Sequence, residues 1–213
     1  MPVHHILCGL AANPALSSEL VDRLIAIADD GIAISLLTHL ARTAKIGATL
    51  LPRIAAASPA EVEELATSPD LAARMLVAQR RDLPPEIRNR LAGDPGAKVV
   101  KALARHPGLS ETQLRAMVDR HGIRVLAKVA TNPDASPALL EDLVQHKPAV
   151  QKVFREVARH RSATASALLV CLTDQQARPV AAGHPAVPPP VLTELLADGE
   201  GVVRRRAYAA SLT

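Results

Sequence analysis

Positively charged residues recur at one place in this chain. Lys98, Arg124, Lys152 and Arg204 each stand six residues before an alanine that opens a turn, with Gln176 the gap in the column. Lys101 and Arg105 extend the first of these, Lys128 the second, and Arg155 and Arg159 the third. Offsets of three and four hold such residues on one helical face. Stacked, those faces would form a basic ridge able to hold a phosphate backbone, an acidic protein or an anionic lipid. The plainer reading is a solvated face, and it weighs slightly more, because charged outer faces are ordinary in stacked-repeat proteins. Arg204-Arg205-Arg206 reads as a charged end cap.

A second column holds His106, His160 and His184 where other copies of the turn hold Asn13 and Asn132. Either side chain can hydrogen-bond turn backbone, and one histidine per repeat is too widely spaced to share a metal ion. His4, His5 and Cys8 are close together but lack a fourth ligand. The only other cysteine, Cys171, falls in a column of Leu and Met and reads as core. Two cysteines make no disulfide framework, although Cys8 could link two chains. Glu61, Glu63 and Glu64 read as a solvated helix start, where carboxylates oppose the dipole. No nucleophile–base set and no glycine-rich phosphate loop is present. The sequence therefore predicts no catalytic residue, no metal ligand and no cofactor, and leans against an enzyme.

The elements that must position the basic column are written in the period. Anchored on Ala11, Ala41, Ala78, Ala104, Ala130, Ala158 and Ala182, the units are 30, 37, 26, 26, 28 and 24 residues apart. A fixed period of this size settles architecture before any local assignment. Offsets five, nine and thirteen are apolar in nearly every copy: Leu83, Ile87 and Leu91; Ala135, Leu139 and Leu143; Ala163, Ala167 and Cys171. Gln113 is the polar exception. This is one helical stripe. Ser17, Ser110, Ser136 and Thr164 cap the helix start, and Pro85, Pro137 and Pro189 sit where a missing N–H costs nothing. A shorter helix precedes each anchor, with Val99 and Leu103, Val125 and Val129, or Val153 and Val157 on its stripe. Residues 55–77 fit this phase poorly and predict an extra helix or short repeat, with a local kink or widened groove. Residues 1–10 read as the back half of a unit, and Val202–Leu212 as a closing helix.

The run Ala130-Thr131-Asn132-Pro133-Asp134-Ala135-Ser136-Pro137-Ala138-Leu139-Leu140-Glu141-Asp142-Leu143 resembles the leucine-rich repeat variant family, and Ala182-Gly183-His184-Pro185 to Leu195 does so nearly as well. The resemblance covers most of 78–213 and, more loosely, 10–54. It implies an all-α, right-handed α-solenoid, related in architecture to HEAT-like repeats, that alternates α-helices with short or 3₁₀ helices. About seven such two-helix repeats would form one domain over 1–213: N-terminal repeats in 1–54, an irregular segment in 55–77 and regular repeats in 78–213. The family's best-described form adds an iron–sulfur segment. Its four-iron cluster needs four thiolates and this chain has two, so the cluster is not carried over.

Composition agrees with thin, stacked helices. Hydrophobic residues make up 48%, yet Phe154 and Tyr208 are the only aromatics, and 17 prolines forbid long helices. Residues 1–77 carry 5 Lys/Arg against 8 Asp/Glu, and the remainder 20 against 13, so the basic character is C-terminal. Two rings cannot supply a stacking track for single-stranded nucleic acid. No apolar run reaches the roughly 18 residues of a membrane span, and no leader pattern opens the chain. The expectation is a soluble, cytoplasmic, non-catalytic scaffold of bacterial style that binds a macromolecule, with a protein favoured. Duplex nucleic acid gripped through the basic column is the alternative. A ring-poor wall makes a small-molecule ligand less attractive without excluding it.

Overall fold

The computed structural model describes Leu20, Arg23 and residues 54–197. Ser17, Cys8, His4, His5, Asn13, Arg204, the Arg204–Arg206 run, Tyr208 and the expected first and last elements lie outside the described residues. Everything regular among the described residues is helical. The chain divides into two compact units, residues 1–103 and 104–213.

In the first unit, helices α1 (Pro59–Thr67), α2 (Leu71–Val77), α3 (Pro85–Ala92) and α4 (Ala97–Leu103) form two consecutive pairs. α1 packs on α2 and α3, and α4 packs on α2 and α3. The start of α1 is fixed by a capping box. The Glu61 amide donates to Ser58 Oγ at 3.3 Å and the Ser58 amide to Glu61 Oε2 at 2.7 Å, with Pro59 in the first turn. Leu65, Leu76, Leu91 and Leu103 are fully buried, each contributing about 2 kcal/mol of hydrophobic stabilisation. The extra helix or short repeat expected in 55–77 is thus an ordinary helix pair, α1 and α2. Ala57, Ser58 and Glu61 stand 26 residues ahead of Leu83, Pro84 and Ile87.

In the second unit the described elements run α5 (Glu111–His121), a 3₁₀ turn (Gly122–Arg124), α6 (Leu126–Val129), α7 (Pro137–Gln145), α8 (Gln151–Ala158), α9 (Ala165–Cys171), α10 (Arg178–Ala182) and α11 (Pro189–Ala197). α7 packs on α9, while α8 packs on α6 and α10, and the two rows meet where α8 touches α7 and α9. One row carries the longer first helix of each pair and the other the shorter second helix. Ser110, Ser136 and Thr164 cap α5, α7 and α9 as expected. The offset-nine column has two uses. Leu139 and Ala167 are buried there, whereas Gln113 closes a capping box with Ser110, its Oε1 accepting from the Ser110 amide at 2.9 Å. Most of the predicted apolar stripes of both helices is buried, including Leu109, Met117, Val125, Val129, Leu143, Val153, Val157 and Cys171, whereas Val191 and Leu195 on α11 are half-buried and Leu20, at offset nine of the first copy, is exposed. The second helix of each described pair is mainly α-helical. A 3₁₀ stretch occurs only at Gly122–Arg124 among the described residues. Gly122, with φ 53° and ψ −135°, makes the turn out of α5 in a conformation open to glycine.

Candidate functional site

The turns between pairs are joined by side chains that reach one repeat back. Asn132 is completely buried; its Nδ2 donates to the carbonyls of Ala104 at 2.6 Å and His106 at 2.8 Å, and its Oδ1 accepts from the Asp134 amide at 2.9 Å. His160 makes a two-bond version of the tie. Its Nδ1 accepts from the Ser162 amide at 3.1 Å, which leaves Nε2 to carry the hydrogen and donate to the Asn132 carbonyl at 2.7 Å. His184 repeats it, with Nδ1 accepting from the Ala186 amide and Nε2 donating to the His160 carbonyl, both at 3.1 Å. Asparagine and histidine are interchangeable here because each offers an acceptor to the residue two ahead and a donor to the preceding turn. The histidine column therefore satisfies turn backbone, and among the described residues no group of three His, Cys, Asp or Glu could hold a metal ion.

The first unit makes the backward half of this tie with a residue the sequence pattern does not flag. Arg80 occupies the corresponding position, and its guanidinium donates to the carbonyls of Ile54 at 3.1 Å and Ala57 at 2.9 Å, while pairing with Asp82 at 2.7 Å. That pairing holds the exposed Asp82 carboxyl below its ordinary range. The only available signal was positional, since Arg80 stands 26 residues before His106. Arg74 and Arg178, each four residues before an anchor, close the turn between the helices of a pair. Arg74 donates to the carbonyls of Ser68 and Pro69 and pairs with buried Asp94 at 2.6 Å; Arg178 donates to the Leu172 carbonyl at 2.9 Å.

The basic column is placed on the second helices. In the first unit, Lys98 and Lys101 are exposed on α4. In the second unit, Arg105 is exposed in a turn, Arg124 is exposed at the end of the 3₁₀ turn, and Lys128 is half-buried on α6. Lys152 is exposed and Arg155 half-buried on α8, and Arg159 is exposed at its C-cap. Lys152, Arg155 and Arg159 share a face opposite Val153 and Val157. Among the described residues, Lys98, Lys101, Arg105, Arg124, Lys128 and Lys152 have no acidic partner, and Arg159 has only a loose one, Glu156 at 3.8 Å. Arg155 Nε is buried with no hydrogen-bond partner.

No protein-family model, curated protein or solved structure matches the chain.

The first helices carry a different electrostatic pattern. Arg90 on α3 pairs with Glu63 on α1. On α5, Arg115 bridges Glu111 at 2.8 Å and Asp142 of α7 at 2.6 Å. These bonds raise the Arg115 pKa, and the bond to Arg115 together with one to Ser136 lowers that of Glu111. Glu61, read from sequence as solvated, is instead buried in its capping box, while Glu63 and Glu64 are exposed. In the second unit α5 and α7 bear Glu111, Asp119, Glu141 and Asp142 against Arg115 and Arg120. The second helices there, with the 3₁₀ turn that leads into α6, bear Arg124, Lys128, Lys152, Arg155 and Arg178 against Glu156. Charge is thus sorted by helix row. Among the described residues no helix is long and apolar enough to cross a membrane.

Proposed function

We propose that the protein is a non-catalytic repeat scaffold, a right-handed α-solenoid of the leucine-rich repeat variant type working in the cytoplasm, that binds an acidic surface of a protein partner through its second-helix row. The observation that carries this reading is the contrast between the two rows. Arg90 and Arg115 on the first helices are each paired with a carboxylate of their own or the neighbouring helix, whereas Arg105, Arg124, Lys128 and Lys152 are left without one among the described residues. Paired surface charges gain little from a ligand, while unpaired ones steer and orient an oppositely charged face. Its support by the buried Val125, Val129, Val153 and Val157 gives the column a rigid backing.

Duplex nucleic acid is the second reading, favoured only by the clustering of Lys152, Arg155 and Arg159 on one face. The carboxylates of the neighbouring row would repel a wrapped polyanion, which makes a protein with one acidic patch the better fit. The test compares the wild-type chain with an Arg124→Glu/Lys152→Glu/Arg159→Glu variant. Crosslinked partner recovery should fall by at least about tenfold, with the melting temperature nearly unchanged because the three side chains are exposed. Binding to a mixed-sequence duplex at low salt should be weak and shallow in its salt dependence. A steep salt slope would move the assignment to duplex binding. Indifference of both probes to the variant would leave the row as solvation alone.

A further inference from the structure

A groove of about 260 Å³ opens between α5 and α7 on the first-helix row of the second unit. Its floor is apolar: Leu139 and Leu143 are buried at its base, with Val118 beside them. Its rim is polar, formed by Arg115, Asp119, Asp142 and His146. Arg115 is already committed to Glu111 and Asp142, while Asp119 has no partner among the described residues. His146 Nδ1 lies 3.4 Å from the Pro148 carbonyl, which can only accept, so the ring nitrogen is the donor there. The rim therefore presents acceptors, and its net charge is negative.

The volume falls below the roughly 300–1,000 Å³ of sites that enclose a drug-sized ligand. A single long side chain suits it better. The chemistry asked of that side chain is an aliphatic stem to lie on Val118, Leu139 and Leu143, and a cationic tip to reach the Asp119 and Asp142 carboxylates. Lysine and arginine have that form, burying a hydrocarbon stem while the charge stays at the wet edge.

We infer that the α5–α7 groove is a docking site for a lysine or arginine side chain on an extended segment of a protein partner. The inference rests on the reading that the partner is a protein, but it uses the opposite helix row. The second-helix row would meet the partner's acidic face, and this groove a basic residue beside that face. Arg115 acts as the built-in competitor: it occupies Asp142, so the incoming cation must share that carboxylate or settle on Asp119.

The test is an NMR titration of the full chain with acetyl-Ala-Leu-Lys-Ala-amide, its arginine form and its norleucine form. The lysine and arginine peptides should shift the amides of 115–119 and 139–146, and norleucine should bind several-fold more weakly. Asp119→Asn should weaken the lysine peptide at least threefold. Arg115→Gln should tighten it, because it frees Asp142 and Glu111; a merely structural role for Arg115 would instead weaken or leave binding unchanged. Equal binding of norleucine, shifts confined to other residues, or indifference to Asp119→Asn would overturn the proposal. The Arg124→Glu/Lys152→Glu/Arg159→Glu variant separates the two readings. Retained peptide binding in it, with loss of the acidic partner, shows two sites; loss of partner capture without any peptide response removes only the groove.

Discussion

Asn132 shows how much one buried amide can be asked to do. It satisfies two carbonyls of the preceding turn and one amide of its own, so its loss strands three buried or part-buried backbone groups. Asn132→Ala should cost about 3 kcal/mol, since each orphaned buried polar group costs roughly 1–3 kcal/mol and some regain water. Asn132→His should recover part of that, because His160 and His184 meet two of the three demands with ring nitrogens, the amide two residues ahead and one carbonyl of the preceding turn. Urea unfolding of the two variants side by side checks both statements; an equally damaging histidine would refute the equivalence. The role of the Asn/His column was readable from sequence because both residue types tie turns. Arg80 was not, because an arginine in that column looks like surface charge until its contacts with Ile54 and Ala57 are seen.

Among the elements, the two helical stripes were legible for the most part, since a buried face forces apolar residues at offsets five, nine and thirteen. Where the pattern broke, local chemistry had replaced packing. Gln113 and Glu61 stand at an offset that is usually apolar because each reaches back to its own capping serine. The phase of 55–77 is harder to read for a related reason. The Asn/His-Pro mark is absent there, and the Ser58-Pro59 start was the surviving sign of an ordinary pair. Helix starts should respond as caps do: Ser136→Ala should cost about 1 kcal/mol. Gly122→Ala, at a positive φ, should cost about 1–3 kcal/mol despite open space around the site. Thermal melts of both variants give the readout. If Gly122→Ala proves neutral, the left-handed turn after α5 is not obligatory.

For the molecule as a whole, the all-helical class followed from the period, whereas the sorting of charge by row did not. Sequence position gives the basic column, but only packing shows that Arg115 and Arg90 are neutralised while Arg124 and Lys152 are not. The groove was equally invisible, since Val118, Asp119 and His146 occupy no repeated column and meet only when α5 and α7 lie side by side. One global property can be tied to a single buried atom. Burial, with Asp174 nearby, pushes the Cys171 thiol up to about 12 from 9.0. Between those values the unfolded chain releases a proton that the folded chain retains. Stability should fall with rising pH there, by about 1.4 kcal/mol per pH unit from this group. The urea midpoint followed from pH 9 upward should drop more steeply for the wild type than for Cys171→Ala; parallel slopes would show the thiol to be accessible.

The ties made by Asn132, His160 and His184 have a consequence for how such a chain can grow. Each asks its predecessor only for a main-chain oxygen, which every amino acid supplies. A copied segment inserted in register after Val157 would find an acceptor waiting and would offer one to whatever follows. Length can therefore change by whole copies without any compensating substitution, leaving the exposed side chains of each copy free to diverge.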